Sequence, residues 1–70
     1  MAGNKLLLDD EIMTTPQVAE RLNMPVPTLR YWRFMGTGPR SFVMGQRRVM
    51  YRRTDVEAWL TDQYQATAAR

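Results

Sequence analysis

Along the chain, the spacing of apolar and polar positions changes several times, and each change marks an element. Val18, Ala19 and Leu22 recur at helical spacing behind Thr14-Thr15-Pro16-Gln17, which predicts a short helix ending near Asn23. With Thr14 as N-cap, Gln17 falls at N3 and completes a capping box, and Met13 can staple onto Val18. With Thr15 as N-cap, Pro16 takes the first helical position instead. Asn23-Met24-Pro25 makes a turn, and a second helix is expected over 26–34 or 26–35, because Pro25 and Pro27 are tolerated only before a helix or in its first turn. Leu29 and Trp32 turn inward there, leaving Thr28, Arg30, Tyr31 and Arg33 on the sides and outer face. Gly36 and Gly38, with Pro39 behind them, stop it.

Beyond Arg40 the pattern becomes that of a hairpin. Residues 41–44 and 47–51 are rich in strand formers, and Gly45-Gln46 supplies the turn between them. Val49 and Tyr51 share the inner face of the second strand, with Arg48 and Met50 outward. A last helix opens at Thr54, where Thr54-Asp55-Val56-Glu57 reads as a second capping box. Val56, Trp59 and Leu60 form its apolar stripe, and Trp32 and Trp59 are both expected in the core. After Thr61 the chain extends the helix before fraying. The expected organisation is a lead-in over 1–11, one domain over 12–61 and an extension over 62–70. In the lead-in, residues 1–5 are expected to be loose, and Leu6-Leu7-Leu8 to cover the domain or meet another protein. The fold class is mainly α with a β-hairpin: a winged helix-turn-helix, with a two-stranded wing and a C-terminal helix.

Composition narrows the chemistry. Seventy residues make one domain. Neither cysteine nor histidine is present, so the usual zinc finger, disulfides, a thiol nucleophile and the commonest general base are all excluded. The chain is expected to be no enzyme and to need no cofactor and no metal. Leu6-Leu7-Leu8 is the longest apolar run, far short of a membrane span, so the expectation is a soluble cytoplasmic protein.

Charge adds a partner. Between Arg21 and Thr54 stand eight arginines and no acid, while the remaining positions hold two cations against seven acids. Nine of the ten cations are arginine, whose fork matches phosphate and guanine. A second helix of roughly 13 Å fits a major groove about 12 Å wide. Pro27, Thr28, Arg30, Tyr31 and Arg33 are the candidate DNA-binding residues of that recognition helix. Thr28 and Arg30 are placed for base edges, and Tyr31 and Arg33 for phosphates. Gln46, Arg47 and Arg48 on the wing would reach the neighbouring minor groove. Arg40, Arg52 and Arg53 are further candidates for phosphate contact. Tyr51 among arginines raises the thought of a tyrosine nucleophile, but so short a chain cannot build a recombinase site around it.

These residues carry a family resemblance. The run from Met13 to Trp32, with Thr28-Leu29-Arg30-Tyr31-Trp32 at its end, is similar to the opening of MerR-like winged helices. The run from Gly45 to Leu60 resembles the wing and last helix of the excisionase branch. The chain departs from the common pattern at Asn23, where glycine is common, and at Pro25, where a serine-like cap is usual. The resemblance implies that Arg30 and Tyr31 touch bases or phosphates, and that Gln46 and Arg47 enter the minor groove. It also implies a phage excisionase, a recombination directionality factor that binds adjacent sites on double-stranded DNA cooperatively and bends them. Such a factor turns a tyrosine integrase toward prophage excision. The expected partners are therefore double-stranded DNA, further copies of the chain on adjacent sites, and a phage integrase, with no membrane. The acidic ends are expected to meet the basic centre of the next copy. Two alternatives stand beside this one. The first is a small MerR-like transcriptional regulator without an effector domain; the excisionase is preferred over it because only ten residues follow Leu60, too few for the long dimerising helix of MerR-type regulators. The second is an adaptor whose basic face meets an acidic protein.

Overall fold

A computed structural model describes residues 10–68; residues 1–5 and Leu6-Leu7-Leu8 of the lead-in lie outside them. The elements are β1 (Ile12–Thr14), α1 (Thr15–Leu22), α2 (Val26–Met35), β2 (Phe42–Met44), β3 (Arg48–Arg52) and α3 (Arg53–Ala68). This is a mainly helical domain of three helices on a small antiparallel sheet, compatible with a winged helix-turn-helix.

Local chemistry explains each helix. Thr14 caps α1: its hydroxyl accepts from the Gln17 N–H at 3.3 Å, and the Gln17 side chain accepts from the Thr14 N–H at 2.9 Å. Met13 and Val18 on either side of the cap are both buried in the core, so the staple forms with the box. Asn23 ends α1 at φ 57, the left-handed conformation that asparagine tolerates better than most side chains. It does there what a glycine would do. Pro25 caps α2 with no side-chain bond; its carbonyl accepts from Thr28 N–H at 3.1 Å instead. Gly36 closes α2 at φ 76, and Thr37 N–H reaches the Trp32 carbonyl at 2.8 Å. Gly38 then passes so close to Trp32 that a side chain there would put its Cβ 3.0 Å from the tryptophan Cβ.

The sheet has three strands in the order β1-β3-β2, not the two of a hairpin alone. β1 pairs with β3 in the register Met13↔Tyr51, and Arg53 N–H extends the ladder to the Glu11 carbonyl at 2.9 Å. β2 pairs with β3 through Val43↔Val49, so the hairpin turn is Gly45-Gln46-Arg47. Arg47 thus sits in the turn, one residue earlier than the strand that was expected to contain it. Tyr51 and Val49 do face the core, but Met50, expected outward, is buried as well. The central position of β3 is the reason. Met50 has Thr14 beside it on one strand and Phe42 on the other, so its outer face is flanked on both sides.

Met13, Val18, Ala19, Leu29, Tyr51 and Val56 form the core, with Leu22, Val26, Trp32 and Val49 packed around it. Buried Tyr51 is a core residue, and its phenol is pushed above its ordinary pKa by that burial, with the Arg33 charge and Thr15 acting the other way. The last helix departs from expectation in three ways. It begins at Arg53, so Thr54 lies inside it and caps nothing; the Thr54 hydroxyl donates instead to the carboxylate of Asp10. Leu60, assigned to the apolar stripe, is 42% exposed, and Trp59 is only half-buried, its ring centroid 5.2 Å from that of Trp32. The core ends at this tryptophan pair. The helix continues past it to Ala68 with every side chain from Leu60 onward exposed.

Candidate nucleic-acid interface

The first turn of α1, the flank of α2 and the base of the wing meet around an open cleft of about 500 Å³. Arg30 and Arg33 enter it from α2, one helical turn apart. Arg47 and Arg48 enter from the turn and the start of β3. Thr14, Thr15 and Pro16 close it at the amino end of α1, where the helix dipole presents partial positive charge although the capping box already satisfies the Gln17 N–H. Tyr51 and Met50 line it from the sheet. Four guanidiniums and a helix amino terminus around one hollow make a receptor for an anion with several oxygens, such as a phosphate.

Arg40 lies next to this cleft. With Arg33 it borders a second hollow formed by Gly36, Thr37, Gly38, Pro39 and Ser41. Gln46 is exposed at the wing tip. On α2, Pro27 and Tyr31 are exposed and Thr28 is half-buried. Positions two apart on a helix point to nearly opposite sides, so Thr28 faces away from the cleft that Arg30 lines. The structure therefore brings Arg30, Arg33, Arg47 and Arg48 together and sets Arg40 beside them. It does not bring Thr28 to the same face.

Arg52 and Arg53 are differently placed. Arg52 makes a forked bond to Asp55, 3.0 and 3.1 Å, and lies 3.7 Å from Asp10. Arg53 pairs with Glu57 at 3.1 Å and with Glu11 at 3.6 Å, and Arg21 pairs with Glu57 at 3.4 Å. Among the described residues, no acid lies within ion-pairing distance of Arg30, Arg33, Arg40, Arg47 or Arg48. The acidic flanks thus fold back on three arginines, and among the described residues no acid compensates the other five. Asp10 and Glu11, expected to meet another copy, are engaged within their own chain; Asp9 lies outside the described residues.

Asp10 is held below its ordinary value of 3.8, first by the Thr54 hydroxyl and then by the Thr54 N–H and the charges of Arg52 and Arg53, against an opposing cost of burial. The same cluster raises the Arg52 pKa, chiefly through its bond to Asp55. Two contributors to this surface escaped the sequence reading. The amino end of α1 was identified as a capped helix but not as a wall of the cleft, and only its packing beside Arg33 and Arg48 shows that. The other is Phe34, the most exposed large apolar side chain of the described residues at 84%.

The family model described as a helix-turn-helix domain matches residues 12–64. The chain belongs to the helix-turn-helix domain family. In that family's terms α1 and α2, joined by the short turn at 23–25, are the two helices of the motif, and β2 and β3 form a two-stranded hairpin beside it. No curated protein and no solved structure matches the chain. Among the described residues, no helix is long and apolar enough to cross a membrane.

Proposed function

We propose that this helix-turn-helix domain binds double-stranded DNA with α2 in the major groove and the wing tip in the adjoining minor groove. One phosphate backbone then passes through the cleft between them. The observation that carries the reading is the cleft itself: four arginines without acidic partners among the described residues and the amino end of a helix converge on one hollow. Arg30 and Tyr31 face bases or phosphates, Arg33, Arg47 and Arg48 hold phosphates, and Gln46 and Arg47 enter the minor groove. Arg40 supplies a further phosphate contact. Arg52 and Arg53 act at one remove, by fixing the junction between wing and last helix.

The finer role is that of an excisionase: an architectural factor that occupies adjacent sites, bends DNA and directs a tyrosine integrase toward excision. Its support is the resemblance of the segment from Gly45 to Leu60 to the excisionase branch, together with the wing that this segment forms. The test is an excision assay in cells. The protein is co-expressed with a tyrosine integrase from its own source genome, on a reporter carrying the two hybrid attachment sites. A sharp rise in excision that Arg30→Ala abolishes supports the role. Unchanged excision, with DNA from its own locus still bound, moves the reading to a small transcriptional regulator.

A further inference from the structure

Phe34 occupies a position that the core does not explain. Leu29 is buried, Val26 and Trp32 pack beside it, and these three define the inward side of α2. Phe34 stands four residues after Arg30 and three after Tyr31, so it covers the outward surface one turn beyond both. Its 84% exposure is matched by no other large apolar side chain of the described residues, and Tyr31 next to it is 61% exposed. The surroundings are cationic. Arg30 and Arg33 lie on the same helix, and Arg47 and Arg48 across the cleft, none with an acidic partner among the described residues.

An apolar ring set in a positive surface is best matched by a partner that is apolar at that point and anionic around it. Duplex DNA meets both conditions. Its backbone is polyanionic, and the 5-methyl of thymine is the apolar group it displays on the floor of the major groove. We infer that Phe34 reads thymine by packing its ring on that methyl group, one turn along the recognition helix from the base or phosphate held by Arg30. The inference rests on the DNA-binding reading above and adds a base preference to it. A T·A pair is selected at one or two positions of the site by apolar contact, independently of any hydrogen bond.

The experiment replaces thymine by deoxyuridine, which removes the methyl and leaves every hydrogen-bonding group in place. Duplexes are enriched from a random pool with the full-length protein, and thymines of the winning sequence are then changed singly to deoxyuridine. Burying one methyl accounts for roughly a fourfold change in affinity. The expected result is a loss of about that size for the wild type at one or two positions. Phe34→Ala binds the thymine duplex more weakly by a similar factor and no longer distinguishes it from the deoxyuridine duplex at those positions. Phe34→Leu retains part of the discrimination. Because Phe34 is exposed, the variants keep the melting temperature of the parent, and circular dichroism checks this.

A wild type indifferent to every deoxyuridine overturns the inference. So does a Phe34→Ala profile that parallels the wild type at each position. If Phe34→Ala keeps single-site affinity and the deoxyuridine response but loses higher-order complexes, the ring contacts protein, and the inference is overturned as well. A protein that enriches no duplex at all is a different failure, that of the DNA-binding reading itself.

Discussion

Leu29 and Arg30 are neighbours on one helix with opposite fates. Leu29 is 1% exposed at the centre of the core, and Arg30 is exposed on the wall of the cleft. Leu29→Ala therefore costs about 2–5 kcal/mol of stability, a large part of what so small a domain has. Thermal melts and denaturant titration measure it. Arg30→Ala leaves the melting temperature unchanged and costs about 1–3 kcal/mol of binding, with relaxed preference at one base pair if that base is read. Binding isotherms against single-base variants of the site separate the two effects. Both fates follow from helical spacing, which the sequence displays without help. Trp59 and Leu60 show where such spacing stops being informative. They continue the stripe begun by Val56, but a periodic pattern does not reveal how far the opposing surface extends. The core ends at the Trp32–Trp59 contact, and Leu60 lies beyond it.

At the scale of elements, the short-range signals were readable and the long-range ones were not. The capping box of α1 is written in four consecutive residues, and the αL ends of both motif helices in Asn23 and Gly36. β1 is three residues long, too short to show alternation, and its partner Tyr51 is far along the chain. The carboxylate that Thr54 meets was equally invisible. A second capping box at Thr54 was the natural local reading, yet Asp10 takes that hydroxyl from a distant part of the chain. Because Asp10 is held below its ordinary value, the folded state releases its proton more readily than the unfolded state does. Its contribution is therefore complete above the ordinary value of 3.8 and is lost as the pH falls through the lower folded value. Asp10→Asn should lower stability at neutral pH and flatten the further loss in acid, below about pH 4. Melting temperatures of the two proteins across that range decide it; superimposed curves would show that Asp10 contributes nothing.

For the whole molecule the governing quantity is the division of charge. The sequence shows a basic centre between acidic ends. It does not show which arginines the acids neutralise. Folding answers by returning Asp10, Glu11, Asp55 and Glu57 to Arg21, Arg52 and Arg53, and no acid among the described residues pairs with the other five arginines. If those five each neutralise one phosphate, the logarithm of affinity falls with the logarithm of salt at a slope of about −4 to −5. Arg47→Ala should reduce the slope by about one, at similar cost on any sequence. Titrations at several salt concentrations provide both values, and a slope near zero would remove DNA as the partner.

The junction at Arg52 and Arg53 has a mechanical meaning. β3 ends at one residue and α3 begins at the next, with no linker between them, and the side chains of both arginines are tied to acids on either side. Strand and helix are thus a single bent rod, splinted at its elbow. One arm ends in the wing tip; the other is a helix of about 24 Å whose far half has every side chain exposed. β3 is also held to β1 along residues 50–52 and Val56 lies in the core, so the wing and the helix keep one fixed angle to the rest of the domain. The far half of α3 is in effect a pointer, and its direction reports the posture of the domain.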